Sequence, residues 1–289
     1  MGYISGKILL EHAAKNHYAV GAFSVHNAET AKAVLAAAQK ENAPVILMIG
    51  QKVIQYMGLK PMKEIVDSLA KDVDVPICVH LDHSRTFEQN VQAIHAGFQS
   101  VMFDGSQLPY EENVELTRSI AKIAHSLNMG MEGEIGKIGG TEDDITVEEK
   151  DAMLTTAEEA LQFSEDSEVD YLAVSIGTAH GVYKVEPKLN FKRLQEITRV
   201  VKKPIVLHGG SGVPDEQIQQ VILGGVAKVN VDTELRQAFT EGLREALAAS
   251  PKEIHPANYL TGAMKKMEEK TREKIRLFGS AGMAKFFLT

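Results

Sequence analysis

The chain has 289 residues, 44% of them hydrophobic, with 31 basic against 39 acidic side chains and a formal charge of −8. That length suits one (β/α)8 barrel with short additions, and the acidic balance excludes a global positive field that would gather nucleic acid or anionic lipid. A single cysteine, Cys78, excludes a disulfide framework, and no run approaches the ~20 apolar residues of a membrane span, so a soluble, cytoplasmic protein is expected.

In chain order, a short first helix is expected around residues 5–15. Apolar runs then recur at 18–25, 44–50, 76–81, 98–103, 129–135, 170–176, 204–208 and 227–231, each bounded by Pro, Gly or charged residues. Between them lie segments such as 28–43, 110–128 and 191–201, rich in helix formers with apolar residues three and four apart. Strand–helix alternation repeated eight times predicts parallel βα units closing into a TIM barrel rather than a doubly wound sheet. Two segments depart from the repeat. Residues 136–154 begin glycine-rich and turn acidic, which reads as a mobile loop over the site. Residues 249–289 form a strandless helical tail, either capping the barrel or touching another subunit. No linker or low-complexity tract suggests a second domain, so 1–289 is read as one.

Catalytic groups of such barrels sit at the C-terminal ends of the strands. There the chain places Asp82 and His83 after the third run, Asp104 after the fourth, Glu132 and Glu134 in the fifth, His180 after the sixth, His208 at the end of the seventh, and Asn230, Asp232 and Thr233 at the eighth. Three histidines with several carboxylates favour a divalent metal site, and imidazole suits zinc or a similar first-row ion. His80, on the strand face of Asp82, is expected to support the site at most. His12, His17, His95 and His125 fall on helices and His255 in the tail, without assigned chemistry. Small residues in 177–184 and 208–212 place backbone N–H groups where an oxyanion could approach, with Lys184 as a point charge. Metal, phosphate nest and acid together point to carbon–carbon cleavage in a phosphorylated ketose. The sixth run has no lysine and Lys228 lies near the start of the eighth, which disfavours an imine mechanism.

The segments GAFSVHN, HLDH, AGFQSVMFDGSQLPYEEN, EGEIGKIGGTEDD, GTAHGVYK, LHGGSG and KVNVDT together resemble the class II fructose-bisphosphate and tagatose-bisphosphate aldolases over nearly the whole length. The resemblance implies that His83, His180 and His208 bind catalytic zinc and that Asp82 serves the C4 hydroxyl as acid and base. Asp104 and Glu134 match the position of an alternative or second divalent ion, and Glu142 the group that moves the C3 proton. Substrate phosphate is assigned to Gly181, Lys184, Gly209, Ser211, Asp232 and Thr233, with Asn230 touching the ketose. The resemblance further implies Na+ or K+ near the glycine-rich loops, a phosphorylated ketose and dihydroxyacetone phosphate as ligands, and no nucleic-acid or membrane partner. A homodimer or homotetramer is expected. The chain departs from the common pattern at Ser24, where asparagine is usual, at Gly50, where serine or threonine is common, and at Ser84, where glycine is usual. Ser24 and Gly50 lie where substrate is read. The nominal substrate is therefore fructose or tagatose 1,6-bisphosphate, with another phosphorylated ketose as an alternative. A sugar-phosphate epimerase or isomerase, and a non-catalytic phosphosugar-binding protein, are the competing readings.

Overall fold

The computed structural model describes residues 2–142, 145–148, 153–183 and 185–287. Its strands are β1 Val20–Ser24, β2 Val45–Ile49, β3 Ile77–Ser84, β4 Ser100–Phe103, β5 Gly130–Ile135, β6 Gly139–Glu142, β7 Ile145–Val147, β8 Tyr171–Val174, β9 Ala179–His180, β10 Ile205–Leu207 and β11 Val226–Val231. Eight of them close a parallel barrel in the order β1-β11-β10-β8-β5-β4-β3-β2, and each corresponds to one of the eight apolar runs. Helices alternate with these strands: α1 Gly6–Lys15, α2 Ala28–Glu41, α3 Gln51–Met57, α4 Leu59–Ala70, α5 Phe87–His95, α6 Tyr110–Ser126, α7 Ala157–Asp166, α8 Phe191–Val200, α9 Asp215–Leu223, α10 Thr233–Ala249 and α11 Pro256–Leu277.

Local chemistry sets where these elements begin. Asn27 and Thr30 form a reciprocal capping box at the start of α2, and Thr156 and Glu159 form another at α7. The strands read as continuous apolar runs because both faces are covered. Outward side chains such as Phe23, Leu47, Val79, Met131 and Leu172 pack against the helices. Inward Val20, Ala22, Ile46, Met48, Cys78, Ala173 and Val206 fill the lower barrel, which Leu9, Leu10 and Ala13 of α1 plug from below. Truncating a plug leucine to alanine would cost about 2–5 kcal/mol in lost burial and cavity.

Above that apolar layer the inward positions become polar. His80 and Asp82 follow Cys78 at two-residue spacing on β3, Glu132 and Glu134 share a face of β5, and Lys228 and Asn230 share one of β11. One expectation changes here. The segment read as a mobile loop contains an antiparallel pair, β6 with β7, and β6 also pairs in parallel with β9. Gly140, at φ 94, lets the β6 backbone close onto that of His180 without a side chain between them. In the tail, Met267, Thr271, Lys274 and Ile275 of α11 are buried, Met267 and Ile275 in the main core, and Arg272 and Arg276 reach Glu41 of α2 at 2.7 and 2.6 Å.

Candidate active site

β3 runs beyond its apolar stretch through Asp82, His83 and Ser84. Neighbours in a regular strand point to opposite faces, yet both Asp82 and His83 enter the barrel mouth. The register against β4 shifts between Leu81 and Ser84, and His83 adopts φ 44, in the left-handed region. This bulge re-aims the histidine, at a backbone cost of about 1–3 kcal/mol that the surrounding structure offsets. Asp104 at the end of β4 accepts from His83 Nδ1 at 3.0 Å and from the Ser106 hydroxyl at 2.7 Å, which fixes the ring.

His83 of β3, His180 of β9 and His208, the residue after β10, come together with ligand atoms within 4.8 Å of one another. Their ring centroids lie 5.3, 4.7 and 5.8 Å apart. His83, Asp104 and Glu134 form a second set meeting the same limit. The sequence-expected metal residues therefore all converge. Electrostatics supports the fit of a cation. Burial disfavours a charged imidazole, but Asp82, Asp104 and Glu134 outweigh it and push His83 up to about 10. Burial, with the nearby Asp104, holds Glu134 well above the usual carboxylate range. His180 and His208 are held well below the ordinary imidazole value, first by burial and then by their neighbour His83. Neutral imidazole, the form that burial favours at His180 and His208, is the ligand form, and a bound cation would take the place of the proton that the nearby carboxylates favour on His83. His208 Nδ1 and Glu134 Oε2 face each other at 3.3 Å without a hydrogen bond, a pair that a metal between them would satisfy.

Asp82 lies beside this cluster, its Oδ1 accepting from Asn230 Nδ2 at 3.4 Å and its carbonyl from Gln51 Nε2 at 3.0 Å. Next to His180, a small open cleft is lined by Gly181, Gly209, Ser211, Asn230, Asp232, Thr233 and Arg236. Thr233 opens the 17-residue α10, so the positive end of that helix faces the cleft. Gly209 has φ 64, and a Cβ there would lie 2.5 Å from the Ala179 carbonyl oxygen, so only glycine suits this approach. The expected phosphate residues are thus gathered, except Lys184, which lies outside the described residues together with the side chain of Glu142.

Two residues were not anticipated. His26 Nε2 meets Asp232 Oδ1 at 3.1 Å, and Arg236 Nη2 meets Asp232 Oδ2 at 2.8 Å. Burial alone would raise the Asp232 carboxyl, but these partners and the Ser24 hydroxyl hold it below its usual range. Arg236 was legible as the i+4 partner of Asp232 on α10, whereas nothing in the spacing marked His26. The Ser24 hydroxyl, expected to read the ketose, reaches Asp232 of the cleft.

Residues 4–283 match the family model described as fructose-bisphosphate aldolase class-II. The chain is 56% identical over 287 residues, covering 99% of it and 100% of the relative, to a sulfofructosephosphate aldolase of Alkalicoccus urumqiensis. Among solved structures it resembles the YdjI aldolase of Escherichia coli K12, with TM-score 0.86, 31% identity and coverage of 98% of this chain and 100% of that one. It also resembles a putative fructose-1,6-biphosphate aldolase of Coccidioides immitis, with TM-score 0.86, 28% identity and coverage of 97% and 98%. Metal-type donors beside a cleft at the N-terminus of α10, together with a match over nearly the full chain, establish that this protein belongs to the class II fructose-bisphosphate aldolase family and is a lyase.

Proposed function

We propose that the enzyme reversibly cleaves the C3–C4 bond of a ketose 1-phosphate bearing a second anion at C6, with a sulfonated fructose phosphate as preferred substrate. The observation that carries the reading is the placement of Asp82 and the three-histidine cluster against the cleft formed by Gly181, Gly209, Ser211 and Thr233. A divalent ion in that cluster, zinc on this reading, would supply Lewis-acid chemistry for the ketose. His83, His180 and His208 would hold it, with Asp104 and Glu134 as the alternative set.

The chain's own groups do the rest. The anion cleft takes the C1 phosphate and so fixes the ketose backbone. Asp82 accepts the C4 hydroxyl proton as the C3–C4 bond breaks and its electron pair stays with C3. Glu142 returns a proton to C3, which releases dihydroxyacetone phosphate, and condensation runs through the same groups in reverse. Buried, unpaired Cys78 fits a reducing cytoplasmic setting.

The named activity of the Alkalicoccus urumqiensis relative favours the sulfonate over fructose or tagatose 1,6-bisphosphate as the nominal substrate. Gly50 favours the same reading. A phosphate monoester holds about −1.5 to −2 charges at neutral pH, whereas a sulfonate holds one, and fewer donors suit the weaker charge. Gly50 offers no hydroxyl where serine or threonine is common. The test is kcat/KM of the zinc-replete enzyme on the sulfonated ketose phosphate and on both bisphosphates, reading dihydroxyacetone phosphate. The sulfonate is expected to lead by about tenfold or more, and Ser24→Asn with Gly50→Ser to narrow that lead, on the scale of one charge-assisted hydrogen bond. Parity, or preference for a bisphosphate, would return the assignment to the bisphosphates.

A further inference from the structure

One layer beneath the histidine cluster the barrel encloses a charge pair that the proposed chemistry does not use. Lys228 on β11 and Glu132 on β5 are both fully buried, with Nζ 2.8 Å from Oε2. The other carboxylate oxygen, Oε1, lies 2.8 Å from Nε2 of His208, also fully buried. A carboxylate only accepts, so this Nε2 carries the proton and donates, and Nδ1 is left as the lone-pair atom. Nδ1 is also the atom turned toward the site, 3.3 Å from Glu134.

A second imidazole competes for Glu132. His80 Nε2 lies 3.5 Å from Oε2, the oxygen that the Lys228 ammonium faces as an ion pair, while His80 Nδ1 bonds to the Ser100 hydroxyl at 2.7 Å. Without the ammonium, the carboxylate is free to turn toward His80 and release His208.

We infer that Lys228 is a positioning residue for the metal centre: by clamping Glu132 it fixes His208 in the tautomer that presents Nδ1 to the ion. The inference rests on the metal-centre reading above. It gives a role to a lysine that is fully buried within the barrel. Carboxylates that orient metal-binding histidines typically govern affinity about 10–100-fold.

The test compares wild type with Lys228→Met, Lys228→Arg, Glu132→Gln/Lys228→Met and Glu132→Leu/Lys228→Met. Zinc affinity is read by chelator competition, and the His208 tautomer by nitrogen-15 NMR of the metal-free protein. Lys228→Met is expected to weaken zinc binding about 10–100-fold and to lose the single Nε2–H tautomer, with arginine restoring part of both. The glutamine double variant, uncharged but still offering an acceptor, should recover most of the affinity, and the leucine double variant should not. A Lys228→Met protein that melts earlier but keeps its zinc affinity and tautomer would show an ordinary buried ion pair and overturn the inference. If Lys228→Met does not fold, equal zinc binding by the two double variants overturns it. The metal-free spectra read the clamp even if zinc is not the ion, so failure of the metal reading is separable.

Discussion

His83 combines a left-handed backbone, a buried ring and three carboxylate neighbours in one residue, and no stability argument calls for such a combination. Strain of this kind survives where geometry serves a site. The residue-scale prediction separates ligands from the acid–base group. His83→Ala, His180→Ala and His208→Ala are each expected to lose most bound zinc, because each opens the donor shell. Asp82→Ala should keep zinc and lower kcat by about 10²–10⁴. Metal content by elemental analysis beside steady-state kinetics checks both, and full zinc in all three histidine variants would sink the ligand assignment. Most of these residues were legible because a polar residue closing an apolar run is conspicuous. The pairing of Asp82 with His83 was legible only as sequence; that both could face inward depended on a bulge, which leaves no mark in composition. His26 went unseen because its partner Asp232 lies 206 residues away.

At the scale of elements, β6, β7 and β9 form a sheet of their own that carries His180. Glycine and acidic composition reads as loop, yet the same glycines permit the close backbone pairing of Gly139 and Gly140 with Ala179 and His180. A Cβ at Gly140 would run into the His180 backbone at a φ of 94 that L-residues rarely adopt. Gly140→Ala is therefore expected to push β9 outward, lower kcat/KM by about tenfold or more and weaken zinc binding, since strain of ~1–3 kcal/mol falls on a ligand strand. Far-UV circular dichroism should stay unchanged, because the barrel is untouched. Wild-type kinetics in this variant would mean that β6 does not position His180. The strand boundaries at 45–49 and 226–231 lie within a residue of the apolar runs, whereas β3 extends three residues further because its last residues pair while being polar.

For the whole molecule, the candidate metal set draws on β3, β9 and the residue after β10, distant in sequence, so an ion bound there would tie the fold together. Any ligand that binds only the folded state stabilises it, by about 2.7 kcal/mol at a hundredfold excess over its dissociation constant. Chelation is expected to lower Tm by about 4–5 °C for a chain of this size at that excess, and readdition of zinc to restore it. Superimposable melting curves with and without chelator would argue against a folded-state metal site. The tail packs into the same core. Met267 and Ile275 join the main core, and buried Lys274 pairs with Glu234 at 2.8 Å, one residue beyond Thr233 of the anion cleft. No helix among the described residues is long and apolar enough to cross a membrane.

The sequence by itself determined the barrel, its eight strands, the rim on which chemistry collects and the reaction class, because hydrophobic periodicity and the residues closing each run are local properties. Tertiary structure alone decided which polar residues meet across the barrel. The Asp232 partners His26 and Ser24, the hairpin pairing onto His180 and the Lys228–Glu132 pair beneath His208 depend on barrel register, strand bulges and distances between segments far apart in the chain. Burial then sets the charge state of each group, and burial is a property of the closed barrel that no single segment carries.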